Sequence, residues 1–502
     1  MPAPDQMAAT PTFRGQFPTT PAEAPRPSRR EWVVTGWSGL ALVLPAWMLG
    51  AWRPWSLGVT LGLALVAFAA LFAPMFDYRL WPRSDKARAA WSRLVRFPVF
   101  WLGLAILIYG TVAALNPWRA LTADGRVGWY EAIPYIAHLP HAMETPFEEM
   151  NAWKALLQIA PAWLVACAIW AGVGHAGLLR GLVGWVAVNG ALLAGLGMLE
   201  LWTGTREMFW VYDPHPMYDA ATFFSSFIYA GHAAAWLTLA LGAAAARLDA
   251  AWRAQPRAVL GRGVWTLVFA TLLAVIGEIQ RPDFWVLACG GMVAVLGAMW
   301  VGRLGRAGRK TVALLVGVPT VAFGVIMLVA LFVAVWSWHA GADSTLDIKV
   351  NPRDASLPVR YAIAKESANM IAATPVWGWG PGSFRFVAPH YLRHNPWFTE
   401  PDDPQILRFS VNYAHCDWVQ LVAEWGAVGA SLFVGILAWW AWRVWSWRRL
   451  LPPESWLILA AVVMVLIGAI VDFPLYNPAV LVALSGLLAV TIRAAEPSVR
   501  LG

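Results

Sequence analysis

Long apolar segments alternate with short polar ones over most of the 502-residue chain. Apolar runs of about 20 residues recur, which is the length that an α-helix needs to cross a bilayer. The pattern therefore predicts an all-α polytopic membrane protein with about twelve transmembrane helices. The predicted spans are residues 33–52, 55–75, 98–116, 153–173, 178–200, 225–246, 263–279, 283–302, 311–337, 415–442, 454–471 and 477–493.

One long hydrophilic segment, residues 338–414, interrupts this alternation between spans 9 and 10. Loops of this length are usually functional or disordered. We therefore divide the chain at this segment. The predicted parts are a disordered cytoplasmic tail at 1–30, spans 1 to 9 at 31–337, a large outward loop with short helices at 338–414, and spans 10 to 12 with the cytoplasmic end at 415–502.

A helix is predicted inside the hydrophilic segment. It opens near Ser356 and is closed by Pro375, because proline cannot continue a helix. Arg360 heads a small, mostly apolar face of this helix, where a guanidinium is costly unless an anion meets it. At 3.6 residues per turn, that face contains Arg360, Ala364, Ser367, Ala368 and Ile371.

Composition agrees with a membrane protein, since 59% of the residues are hydrophobic and only 13% are charged. Soluble domains carry about 25% charged residues. The net charge of +8 would suggest nucleic acid in a soluble chain, but here the distribution of charge matters more, and we expect no nucleic-acid partner. The tail, the even-numbered loops and the C-terminal end together hold 24 of the 37 lysines and arginines. This asymmetry predicts cytoplasmic termini and an outward-facing 338–414 loop.

Three residues on the outward side are candidates for chemistry. Arg281 lies at the corner between spans 7 and 8, where it could bind a phosphate or simply anchor the interface beside an acidic neighbour. Arg360 is a second candidate for a phosphate ligand. His415 opens span 10 and could serve as a base near neutral pH, although a lone histidine at a helix start is more often a structural polar residue.

Metal and cofactor motifs are not visible in the sequence. There is no HExxH, CxxC or GxSxG pattern, and Asp402 with Asp403 lies in a proline-rich segment typical of a solvated loop. The Gly-Pro-Gly run at 380–382 is not followed by a GK[ST] sequence, which favours a tight structural turn over a phosphate-binding loop. We expect neither a metal nor a cofactor.

Two stretches together resemble the O-antigen ligase and polysaccharide polymerase family. They are TPVWGWGPGSF at 374–384 and YAHCDWVQLVAEWG at 413–426, which combine a Gly-x-Gly-Pro-Gly-x-Phe turn with a histidine and, one helix later, Glu-x-Gly. Cys416 departs from the asparagine that usually follows this histidine.

Single residues outside these stretches extend the resemblance. Arg281 and Arg360 are similar to the two essential arginines of the family, although Arg281 stands between Gln and Pro and not between Ser and Gly. Asp472 in Asp-Phe-Pro resembles a late outward aspartate, and His232 in Gly-His-Ala resembles a histidine of an earlier span.

The resemblance implies a metal-independent, inverting glycosyltransferase with a GT-C-like fold in the bacterial inner membrane, its active site facing the periplasm. The donor would be a glycan on undecaprenyl diphosphate, and the acceptor a sugar hydroxyl on lipid A core or on another glycan. His415 would be catalytic, Arg281 and Arg360 would bind the diphosphate, and Asp472, Glu424 and His232 would support them.

Three alternatives remain from the sequence. A polymerase that extends a lipid-linked glycan would share the same motifs. A twelve-span transporter would place ionisable residues near the bilayer midplane, whereas here they cluster outside the spans. A flippase-like or scaffolding protein would not need His415, so its substitution would leave glycans unchanged.

Overall fold

The computed structural model describes residues 26–72, 85–122, 129–145, 150–213, 223–253, 259–278, 357–393 and 411–496, together with 297, 395, 398, 399 and 499. This part of the chain is mostly helical, as the hydrophobic pattern predicts. Its helices, numbered in chain order, are α1 Arg29–Trp47, α2 Pro54–Ala69, α3 Asp85–Val95, α4 Pro98–Leu115, α5 Ala152–Gly172, α6 Ala176–Thr203, α7 Ala230–Arg253, α8 Val259–Glu278, α9 Leu357–Ala373, α10 Phe384–Leu392, α11 Asp417–Ser446, α12 Ser455–Gly468 and α13 Pro478–Arg493.

Ten of the twelve predicted spans coincide with helices α1, α2, α4 to α8 and α11 to α13. The predicted spans 283–302 and 311–337 lie outside the described residues, apart from residue 297. In the described part, α4, α5, α6 and α11 are long and apolar enough to cross a membrane. Shorter apolar helices include α2, α12 and α13. The amphipathic helix α3 was not predicted.

The central helices pack through small side chains. Helix α7 contacts α6, α8 and α12. A Cβ on Gly190 of α6 would lie 2.3 Å from the Ala240 Cβ, and a Cβ on Gly242 would lie 2.4 Å from the Ala461 Cβ of α12. Such small contact residues let helix backbones approach closely, as is common in membrane bundles. The position of α7 at the centre of the bundle therefore follows from its alanine-rich sequence.

A small sheet, which was not predicted, accompanies the helices. Strand β1 (Pro117–Thr122) pairs antiparallel with β2 (Trp129–Ala132) and parallel with β3 (Ala142–Glu144). The Trp118 ring lies 5.1 Å from the ring of Trp379, so the sheet packs beside the glycine-rich turn after α9. Short, loop-bounded strands of this kind carry no helical or long apolar signal, and the hydrophobic pattern missed them.

Helix α9 confirms the predicted helix in the hydrophilic segment but corrects its buried face. Ile363, Ser367 and Met370 are buried, whereas Ala368 is exposed. The helix packs against α10 and α11. These two helices cover the face that carries the large side chains of Ile363 and Met370. Arg360 stays at the edge of the buried face and is half-buried.

Candidate functional site

The short segment Val471–Phe473 lies at the centre of the site. It lies between the end of α12 and a short 3₁₀ turn, Pro474–Tyr476. Asp472 is 6% exposed. Its carboxylate accepts hydrogen bonds from the Tyr229 hydroxyl (3.1 Å to Oδ1) and from the Phe473 amide (3.0 Å). A buried carboxylate is thus held in one orientation by donors from two separate parts of the chain.

Gly231 allows this carboxylate to approach α7. A Cβ at Gly231 would lie 2.6 Å from Oδ2 of Asp472 and 2.4 Å from a ring carbon of Tyr229. Any side chain here would displace one of these groups. The Gly-His-Ala element of the sequence therefore has a steric reason for its glycine.

Arg360 reaches the same segment from α9. Its guanidinium donates a hydrogen bond to the carbonyl of Val471. Burial by itself would raise the pKa of Asp472, but the charge of Arg360 and, after it, the interaction with His415 outweigh burial and hold this pKa below the usual carboxyl range. Asp472 is therefore ionised at neutral pH.

His415 stands directly before α11 and faces Asp472. Its Nδ1 lies 3.7 Å from Oδ1 of Asp472, and its ring packs edge-on against Phe473 at 5.0 Å. The side chain is 18% exposed, so one part of the ring remains accessible. Its φ of +50° lies in the left-handed region. A non-glycine residue there stores of order 1–3 kcal/mol of strain and often marks a functional position.

Aromatic rings surround these polar groups. Tyr413 stacks on Phe473 with ring centroids 4.3 Å apart and planes 3° from parallel. Trp52 lies 5.7 Å from Tyr413 and 5.3 Å from the ring of His232. Stacked rings carry large buried areas and fixed geometry. They hold the 413–415 segment against 472–473, and so fix the distance between His415 and Asp472.

His232 is buried behind this layer, at 3% exposure. Its Nε2 lies 3.2 Å from the carbonyl of Phe473, and its Nδ1 lies 3.4 Å from the side-chain amide of Asn477. A carbonyl can only accept, so Nε2 carries the proton, and Nδ1 can accept from the amide. Both nitrogens are engaged, and the residue positions the Phe473 segment.

Glu424 lies one layer away and fixes the glycine-rich turn. It is 1% exposed. Its Oε2 accepts from the Gly382 amide (3.0 Å) and the Tyr476 hydroxyl (2.7 Å), and its Oε1 accepts from the Phe384 amide (3.2 Å) and the Gln420 side chain (3.1 Å). The Gly382 amide of the Gly-Pro-Gly turn and the Phe384 amide after it therefore already bind a carboxylate of this chain. This confirms that the turn is structural.

The turn also bridges a break in α11 at Gly426, whose φ and ψ are 60° and −176°. The amides of Trp379 and Gly380 donate to the carbonyls of Ala423 and Glu424, both at 2.9 Å. In return, the amides of Ala427 and Val428 in α11 donate to the carbonyls of Pro375 and Val376 before the turn. The turn thus supplies the partners that the interrupted helix lacks.

Glycine is required on both sides of this junction. Gly378 has a φ of +72°, and a Cβ there would lie 2.5 Å from the Glu424 carbonyl and from the Gly426 amide. The Tyr109 hydroxyl of α4 is close to the carbonyls of both Trp377 (2.9 Å) and Trp425 (2.7 Å). The Trp-Gly-Trp-Gly-Pro-Gly sequence is thus explained by backbone-to-backbone packing.

Two further buried side chains hold the start of α11. Gln420 accepts a hydrogen bond from the Ala414 amide (2.9 Å), directly before His415. Asp417 accepts one from the Leu475 amide (2.8 Å) through Oδ2. The backbone around His415 is therefore tied to α11 through Gln420 and to the 3₁₀ turn through Asp417.

The structure brings together four of the six residues predicted from the sequence: Arg360, His415, Asp472 and His232 all meet the 471–473 segment. Glu424 instead binds the adjacent glycine-rich turn through the Gly382 and Phe384 amides. Arg281 lies outside the described residues. Sequence reasoning missed the neighbours Tyr229, Tyr413, Phe473, Tyr476 and Asn477. Tyr229, Tyr413 and Phe473 stand within three residues of a predicted site residue, and Tyr476 and Asn477 lie at the end of the 3₁₀ turn and directly after it, which was the available signal.

Comparison with known families agrees with the motifs. A family model described as O-antigen ligase matches residues 284–434. A search of curated proteins found no match. The matched region contains Arg360, the glycine-rich turn, His415 and Glu424, which confirms the resemblance found from the sequence. Asp472 and His232 lie outside the matched region, and the fold brings them to it.

Proposed function

We propose that this chain, with its O-antigen ligase domain at residues 284–434, is a membrane glycosyltransferase of the ligase type. It would move a glycan from undecaprenyl diphosphate to a sugar hydroxyl on lipid A core. The family match supports glycosyl transfer by a ligase or a related polymerase. The single observation that carries the assignment to this site is the meeting of His415, Asp472 and Arg360 at one segment.

His415 is the proposed proton acceptor. With Nδ1 facing an ionised Asp472, the ring is oriented and its protonated form is stabilised, while Nε2 lies on the opposite edge of the ring. The Asp472 carboxylate does not itself take the proton. A positioned histidine contributes typically 10²- to 10⁴-fold to such a step.

The reaction is a single displacement. The acceptor hydroxyl oxygen forms a bond to the anomeric carbon of the donor sugar, and the bond from that carbon to the diphosphate oxygen breaks. The hydroxyl proton passes to His415, and the leaving undecaprenyl diphosphate keeps the electron pair. Attack from the face opposite the diphosphate inverts the anomeric centre.

Arginine charge is the proposed stabiliser of the leaving diphosphate. Arg360 stands beside the site, and a fixed guanidinium aimed at developing negative charge lowers the barrier most effectively when it is preorganised. We assign the same role to Arg281, the other arginine that resembles an essential arginine of the family. No divalent ion is needed for this role when two arginines supply the charge.

The proposed location is the inner membrane, with both termini cytoplasmic and the site on the periplasmic face. The placement of arginines supports it. The site residues lie at the first turn of α7 and beside the first turn of α11, whereas Arg253 ends α7 and Arg262 lies in the first turn of α8. Cytoplasmic loops are the ones enriched in arginine and lysine.

The test is gel analysis of surface glycans in a strain that lacks the gene and carries wild type, His415→Ala, Arg360→Ala or Arg281→Ala. Each variant is expected to lose glycan transfer at unchanged protein content of the membrane, with His415→Ala reducing it at least 10²-fold. His138→Ala is the matched control, because this histidine is exposed and far from the 471–473 segment in sequence and contacts.

The glycan pattern separates the proposed activity from its alternatives. Long chains that persist on the carrier lipid but are missing from lipid A core identify a ligase. Single repeats alone identify a polymerase. Unchanged glycans in the deletion strain and near-normal transfer by all three variants would contradict glycosyl transfer. That result would favour a transport or scaffolding role.

A further inference from the structure

A cavity lined by both charged and apolar residues lies at the opposite end of the bundle from His415. Its volume is about 180 Å³, and it is formed by the first turns of α6 and α12 and the last turns of α7 and α13. Arg247, which lines it, is 15 residues beyond His232 on α7, or roughly 22 Å along the helix. The cavity is therefore separate from the proposed active site.

Two arginines, Arg180 and Arg247, line this cavity, together with one carboxylate, Glu454. Glu454 already forms an ion pair with Arg253, which also pairs with Asp249 at 3.1 Å. Arg253 thus shares its one charge between two carboxylates, and the three arginines exceed the two carboxylates by one positive charge. An anion in the cavity would balance that charge.

Arg247 is held in place without an anionic hydrogen-bond partner. Its guanidinium carbon lies 4.9 Å from the Trp265 ring centroid, and its Nε passes 3.8 Å from the position of a Cβ on Gly184. Among the described residues, that buried Nε has no hydrogen-bond partner. A stacked, oriented guanidinium with an unused donor is suited to an oxyanion.

The opposite wall adds a second unused polar atom. Thr491 of α13 is 1% exposed and lines the cavity, and its hydroxyl has no partner in the described part of the chain. Buried polar atoms are normally hydrogen-bonded, yet two residues that line this cavity each carry one without a partner in the described part of the chain. The remaining wall is apolar, with Leu179, Val183 and Ile458 among its residues.

We propose that this cavity binds the phosphate group of an anionic phospholipid. The arginines and Thr491 match a phosphodiester, and the apolar wall matches the glycerol and the first carbons of an acyl chain. Basic pockets between helices near the membrane surface bind anionic headgroups in this way. A free phosphate ion would satisfy the arginines but would leave the apolar wall uncovered.

The test uses the purified full-length protein in detergent with three probes: phosphatidylglycerol, phosphatidylcholine with the same acyl chains, and inorganic phosphate. Native mass spectrometry measures retained lipid, and thermal unfolding measures the rise in Tm that a bound ligand produces. We expect phosphatidylglycerol to be retained one to one and to raise Tm. Phosphatidylcholine and inorganic phosphate should do neither.

Variants link the effect to the cavity. Each of Arg180→Gln and Arg247→Gln should weaken phosphatidylglycerol binding about fivefold, and the double variant about 25-fold. Ala250→Phe should also reduce binding, because it fills the cavity but keeps both arginines. Arg449→Gln is the matched control, since Arg449 is exposed and does not line the cavity.

Three results would overturn the proposal. Equal retention by wild type and the double arginine variant would show that the lipid binds elsewhere. Equal stabilisation by phosphatidylcholine would show that charge is not recognised. Full stabilisation by inorganic phosphate alone would assign the cavity to a soluble anion instead of a lipid.

Discussion

Glu424→Gln tests how the glycine-rich turn is held. In the wild type, each carboxylate oxygen accepts two hydrogen bonds: Oε2 from the Gly382 amide and the Tyr476 hydroxyl, and Oε1 from the Phe384 amide and the Gln420 side chain. An amide offers only one oxygen. Its NH₂ group must therefore face one of these two pairs of donors.

The structure decides which arrangement is less unfavourable. If the NH₂ replaces Oε1, it faces the NH₂ group of Gln420, and two donors cannot bond to each other. Gln420 cannot turn its side-chain oxygen towards position 424, because that oxygen accepts the hydrogen bond from the Ala414 amide. If the NH₂ replaces Oε2, the Tyr476 hydroxyl can rotate and accept, so only the Gly382 amide loses its partner. One buried, unpaired N–H is destabilising by about 1–3 kcal/mol, and we expect a loss in that range.

The assay is thermal unfolding of the purified protein in detergent at a fixed heating rate, followed by the fluorescence of its tryptophans. Glu424→Gln should lower Tm by several degrees. Tyr476→Phe should lower it less, because it removes one donor and leaves no backbone group unpaired. Glu207→Gln, an exposed carboxylate, is the control and should change stability by less than about 0.5 kcal/mol. A wild-type Tm for Glu424→Gln would refute the reasoning.

Two further predictions concern Asp472. Gly231→Ala should reduce glycan transfer at normal protein level, because its methyl group would lie 2.6 Å from Oδ2 of Asp472; Gly181→Ala, with open space around it, should be neutral in the same gel assay. The lowered pKa of Asp472 means that its ionised form stabilises the fold above about pH 4 and that this contribution is lost as pH falls through the lowered value. The Tm difference between wild type and Asp472→Asn, measured over a pH series, should shrink below about pH 4. Growth of that difference below about pH 4 would contradict the assignment.

Much of the architecture was predictable because apolar length carries most of the signal in a membrane protein. The bounds of α4, predicted as 98–116 and observed as Pro98–Leu115, show how well this works for one span. The strands β1 to β3 were missed because their pairing depends on contacts with the turn beside Trp379, which leave no periodic pattern in the sequence. Tertiary contact, not local preference, decides such elements.

The site was predictable as a set of residue types but not as a geometry. Asp472 and His415 are 57 positions apart, and nothing in their spacing states that Phe473 stacks between Tyr413 and Tyr229 to bring them together. The role of Glu424 was likewise hidden. Its partners are two backbone amides of the turn at 380–384, and a sequence does not show which amides point inward.

The break at Gly426 has a mechanical consequence. The outer piece of α11, which begins two residues after His415, is joined to the turn by two backbone hydrogen bonds on its own side, from Trp379 and Gly380. The long inner piece is joined by two more, at 427 and 428. Both pieces are therefore held by the same turn, which sets the angle between them and so the position of the segment that carries His415, although the helix is not continuous.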